Sequence, residues 1–74
     1  MTRTRLEKID TDVTGEQAIY HLTKMKVLES YQRFYKIGSS IELLYSDDLN
    51  IWKRSNMTLQ EFKETTWENV YEQI

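Results

Sequence analysis

Two stretches of the chain, V-T-G-E-Q-A at 13–18 and M-T-L-Q-E-F at 57–62, follow one pattern: a threonine, Gln or Glu three residues on, and flanking apolar residues. This is a capping box inside a hydrophobic staple. The Thr hydroxyl and the third-residue side chain each satisfy a backbone N–H that the helix start would leave unpaired, and the apolar pair sets the entry angle of the chain. Thr14 with Gln17 and Thr58 with Glu61 thus place helix starts at Gly15 and Leu59, stapled by Val13–Ala18 and Met57–Phe62. After the first start, Ala18, Ile19, Leu22 and Met25 share one helical face, and Lys24 and Lys26 lie where cations favour the negative end of the dipole.

Between the two helices the period changes. V-L-E-S-Y-Q-R-F-Y-K-I is rich in β-branched and aromatic residues, and I-E-L-L-Y-S places Ile41, Leu43 and Tyr45 on alternate positions. G-S-S at 38–40 reads as the loop of a hairpin, and S-D-D-L-N as a turn whose Asp and Asn side chains cap their own backbone. The strand expected next has Leu49, Ile51 and Lys53 on one side and Asn50, Trp52 and Arg54 on the other. These elements predict an α+β fold: an antiparallel sheet of four to five strands, one helix over 15–24 packed on a face, and a short second helix over 59–65. Leu59, Phe62, Thr66, Trp67, Val70 and Ile74 also fit one long amphipathic helix, whereas Thr65-Thr66, Trp67, Val70 and Tyr71 suit a terminal strand.

The chain of 74 residues reads as one small domain, with residues 1–10 as a flexible basic arm. A domain of this size buries only about 60% of its unfolded surface. With no cysteine and one histidine, neither a disulfide nor a structural zinc site can staple it, so association into a homo-oligomer is expected. The charged N-terminus and lack of thiols fit a cytoplasmic protein with no membrane segment. Residues 1–36 hold seven Lys/Arg against five Asp/Glu, and residues 37–74 three against seven. That balance argues against direct nucleic-acid binding, for which clustered cations and a pI above about 9 are the usual footprint.

Chemistry-bearing constellations are absent from the sequence. His21 has no neighbouring ligands at metal spacing and reads as a solvated surface residue; Asp10, Asp12, Asp47 and Asp48 read as turn and cap residues rather than a cation loop. Glu61, Glu64 and Glu68 would align on one face only if the second helix were long. No nucleophile, base and orienting group come together in a motif, so no enzymatic activity, cofactor or metal is expected. The aromatics carry more information. Nine Phe, Trp and Tyr side chains exceed what one covered sheet face can bury. Phe34, Phe62 and Trp67 are the expected core, while Tyr31, Tyr35, Tyr45 and Trp52 fit an open sheet face, interleaved with Arg33, Lys53 and Arg54.

E-Q-A-I-Y-H-L-T-K-M-K-V-L-E-S, then I-W-K-R-S and T-L-Q-E-F-K-E-T-T-W-E-N-V-Y-E, resemble a group of small phage and prophage proteins across residues 15–72. That group includes the anti-Thoeris proteins that sequester a cyclic ADP-ribose signal and a relative described as an anti-CRISPR. Ala18, Ile19 and Leu22 match the opening helix, Trp52 and Ser55 the penultimate strand, and Trp67 the last; Met25 and Lys26 replace the usual glycine turn. The resemblance implies a terminal strand over the last residues, a buried Trp67 and an outward Trp52. It also implies a phage counter-defence protein that acts by binding. In its most specific form such a protein captures a nucleotide signal between protomers, Tyr35 and Trp52 stacking on the base and Arg33, Arg54 and Ser55 holding phosphates. The alternative is a protein inhibitor of a host immune nuclease, its acidic Asp47, Asp48, Glu61, Glu64 and Glu68 and its hot-spot Tyr31 and Tyr45 occupying a basic channel. A third, lesser reading is a nucleic-acid accessory protein using Arg3, Arg5 and Lys8.

Overall fold

The computed structural model describes residues 5–74. The elements are β1 (Leu6–Val13), α1 (Gly15–Thr23), β2 (Val27–Ser30), β3 (Arg33–Ile37), β4 (Leu43–Ser46), β5 (Lys53–Arg54), α2 (Leu59–Glu64) and β6 (Trp67–Gln73). All six strands join one antiparallel sheet in the order β1-β6-β2-β3-β4-β5. Ala18 from α1 and Phe62 from α2 enter the same core cluster as Leu28, Tyr35 and Val70, so both helices cover one face of the sheet.

Both helix starts form as capping boxes. Thr14 Oγ1 accepts from Gln17 N while Gln17 Oε1 accepts from Thr14 N; Thr58 and Glu61 do the same. The two helices then pack so closely that a Cβ on Gly15 would run into the Lys63 backbone. After α2 the chain does not continue as helix. Thr65 is extended, its N–H donates to the Phe62 carbonyl at 3.3 Å, and the Trp67 indole N–H donates to the same C-terminal acceptor at 2.9 Å. The last residues instead form the strand β6, which runs between β1 and β2, one strand in from the sheet edge.

Three expectations are corrected. The sheet has a sixth strand, β1, so Leu6–Asp10 are strand where an arm was expected; its L-E-K-I-D-T-D-V sequence lacks alternation because it is an edge strand with Val13 alone buried. Tyr35, only 7% exposed, takes the core place expected for Phe34. Tyr35 pairs with Leu28 under the helices, so the adjacent Phe34 must face away, where its ring lies 6.0 Å from that of Tyr71. Finally, the strand expected over 49–54 shrinks to Lys53–Arg54. Asp48 captures the preceding segment as a turn: its Oδ1 accepts from Ser46 Oγ and from the N–H groups of Asn50 and Ile51.

Candidate functional site

Sheet parity decides which side chains can act together. On the helix face, beyond the reach of the helices, the strand ends leave a polar cleft of about 530 Å³. Its walls include Tyr31, Arg33, Tyr45-flanking Asp47 and, from the end of α2, Glu64. Arg33 Nε donates to Asp47 Oδ1 at 3.0 Å, and its guanidinium lies 4.7 Å from the Tyr45 ring centre. The bond to Asp47 raises the Arg33 pKa further above its ordinary value. Glu68 reaches the same region, its Oε1 accepting from Tyr31 N at 2.6 Å. Tyr31 itself is 76% exposed and in the left-handed region (φ 49).

Beside the cleft lies an apolar groove of about 480 Å³, walled by Ile19, Leu22 and Met25 of the first helical segment, Ile37, Ile41 and Leu43 of the hairpin, and Leu59 and Phe62 of α2. Met57 lines both cavities, so its side chain is a wall common to the two. Ile41 stands at the groove's rim, 84% exposed, with φ 58. A β-branched residue there is strained, and its exposed side chain recovers little burial within the protomer. Sequence reading assigned Ile41 and Leu59 to a strand and a helix start; their exposure depends on which neighbours the fold withholds.

Of the five side chains expected to hold a nucleotide, Arg33 and Tyr35 both line the polar cleft, and Trp52, Arg54 and Ser55 lie elsewhere. Tyr35 is buried in the core with its ring edge-on to Trp67 at 5.2 Å, which corrects its assignment to an open face. Arg33 is committed to Asp47, and Ser55 Oγ accepts from Met57 N at 3.1 Å. Trp52 and Arg54 belong to the opposite, uncovered face, where Lys36 Nζ sits 4.3 Å over the Trp52 ring and Arg54 pairs with Leu44. Of the acidic and aromatic alternative set, the cleft brings together Tyr31, Asp47 and Glu64, with Tyr45 under Arg33 and Glu68 at the edge. Asp48 and Glu61 lie outside it, held in the turn and the capping box. Backbone donors lower both of their carboxyl pKa values, from Ile51 and Asn50 for Asp48 and from Thr58 for Glu61. Because α2 ends at Glu64, Glu61, Glu64 and Glu68 do not form one helical row.

His21 is 18% exposed at its side chain rather than solvated, its Nε2 lying 3.4 Å from Asp10 Oδ2. Of the basic arm, Arg3 lies outside the described residues and Lys8 is in β1. Among the described residues no three His, Cys, Asp or Glu side chains cluster as a metal site, and no helix is long and apolar enough to cross a membrane. No family model, curated protein or solved structure matches the chain.

Proposed function

We propose that this protein acts without catalysis, as a counter-defence protein that occupies a protein partner, with the apolar groove as the centre of contact and the acidic, aromatic cleft as its flank. The observation that carries this reading is that the two cavities share Met57 as a common wall. An apolar centre bordered by polar and aromatic groups is the anatomy of a protein interface, and exposed Tyr31 is a suitable hot spot. The cleft holds Asp47, Glu64 and nearby Glu68 against Arg33 alone, so it suits a basic partner surface such as the nucleic-acid channel of an immune nuclease and disfavours phosphates. Tyr35 lines the cleft but is only 7% exposed and edge-on to Trp67, so it offers a base little stacking surface there.

The test is inhibition of a nuclease-based immune system by the wild type and by Ile41→Asp and Glu64→Lys. Both variants are expected to lose inhibition by at least tenfold, and wild-type inhibition is expected to weaken as salt rises. Full inhibition by both variants would overturn the reading, as would loss of inhibition confined to Trp52→Ala and Arg54→Ala.

A further inference from the structure

The uncovered face of the sheet carries a second arrangement, on the side away from the groove. The strand registers place Lys8 opposite Tyr71, Tyr71 opposite Val27, and Lys36 opposite Leu44, which is opposite Arg54. Leu28 pairs with Tyr35, so Val27 and Lys36 are also neighbours across β2 and β3. One row, Lys8–Tyr71–Val27–Lys36–Leu44–Arg54, therefore crosses all six strands and contains three cations and no carboxylate; Val27 within it is fully buried, so the surface is made by the residues on either side. At about 4.8 Å per strand it is roughly 24 Å long.

Aromatic rings lie along this row: Tyr71 within it, Phe34 packed 6.0 Å from Tyr71, and Trp52 under Lys36. Among the described residues none of Lys8, Lys36 and Arg54 is in an ion pair. The two carboxylates on the same face are both turned to internal uses. Glu29 Oε1 accepts from Asn69 Nδ2 at 2.8 Å and from the Tyr71 hydroxyl at 2.7 Å, and Glu42 folds against Gly38 with its Oε2 shut off from water. Glu7 and Glu72, paired with each other in β1 and β6, have the opposite parity and face the helix side, as does Asp10 beside His21. The row itself is thus left with unpaired cations.

We propose that this row is a binding site for single-stranded nucleic acid, distinct from and independent of the protein-binding groove. The cations complement a phosphate backbone running across the strands, and half-buried rings on an open sheet are a sequence-tolerant stacking surface for bases. An acidic peptide would match the cations but would leave the rings without stacking partners. Trp52 is half-buried with Lys36 Nζ over its ring, which puts a cation and a stacking surface at one point of the row.

The experiment is a fluorescence-anisotropy titration of the full chain with labelled oligothymidylate and oligouridylate at several salt concentrations, with Trp fluorescence read in parallel. Binding in the range of about 10–100 µM at low salt is expected. Three phosphate contacts predict a slope of log K against log salt near about −2, at roughly −0.7 per contact. Lys36→Glu and Arg54→Glu should each weaken binding at least tenfold and flatten the slope. Trp52→Ala should weaken it with the slope unchanged. Ile41→Asp, on the other face, should bind like the wild type, which separates failure of this site from failure of the groove. The proposal is overturned by no binding at low salt, by polyglutamate competing as well as oligonucleotide, or by Lys36→Glu and Arg54→Glu binding as the wild type does.

Discussion

The two faces of the sheet are made from the same strands yet follow different rules. On the helix face, Leu28, Tyr35 and Val70 meet Ala18, Phe62 and Trp67 in a closed apolar cluster with one indole hydrogen bond. On the other, Phe34 packs on Tyr71, Tyr71 donates to Glu29, and Lys36 lies over Trp52; the three rings stay half-buried, although Val27 on this face is fully buried. Aromatic content alone does not separate them. What separates them is whether a second layer excludes water, and among the described residues two short helices supply it on one side.

The largest expected difference between the faces is in stability. Trp67→Ala removes the biggest fully buried side chain and its hydrogen bond to Phe62, and should cost about 3–5 kcal/mol by urea denaturation. That is a large share of a small domain's stability, whereas Phe34→Leu should change the midpoint little. Equal losses at the two positions would mean that the open face is covered in solution, for example by a second copy. A smaller effect is expected where the two helices meet. Gly15→Ala places a methyl group against the Lys63 backbone and should destabilise by about 1–3 kcal/mol, despite alanine's better helix propensity. A stabilised Gly15→Ala variant would break the picture of helices locked together over one face.

The smallest effect belongs to the open face and depends on pH. Burial, then the Glu29 carboxylate, pushes the Tyr71 phenol from 10.0 up to about 12. The folded state therefore holds this proton more tightly than the unfolded chain. Its contribution is complete below pH 10.0 and is lost as pH rises toward about 12. The melting temperature should fall across that window, and Tyr71→Phe should make the fall shallower; an identical profile in the variant would remove Tyr71 from the account.

Legibility in the sequence tracked how local each determinant is. The two helix starts needed only residues three apart, and both appear with their reciprocal bonds. The hairpin at Gly38 and the turn at Asp48 were readable for the same reason, although the strand after the turn is shorter than its alternation suggests. Within the candidate sites, Tyr31, Asp47 and Glu64 were named from the sequence, but their convergence was not. Lys36 and Ile41 gave no sequence cue for their roles. One is defined by the ring beneath it, the other by the groove beside it.

The sequence by itself determined where helices begin, where the chain turns and that the domain mixes helix with antiparallel strands, because capping, turn chemistry and periodicity act over a few residues. Only the tertiary structure decided that Tyr35 faces inward and Phe34 outward, that the polar segment Leu6–Val13 is a strand, and that Lys8, Lys36 and Arg54 share one row. Those outcomes follow from register between strands distant in sequence. A shift of one residue would reverse every side chain, and no local pattern records which register wins.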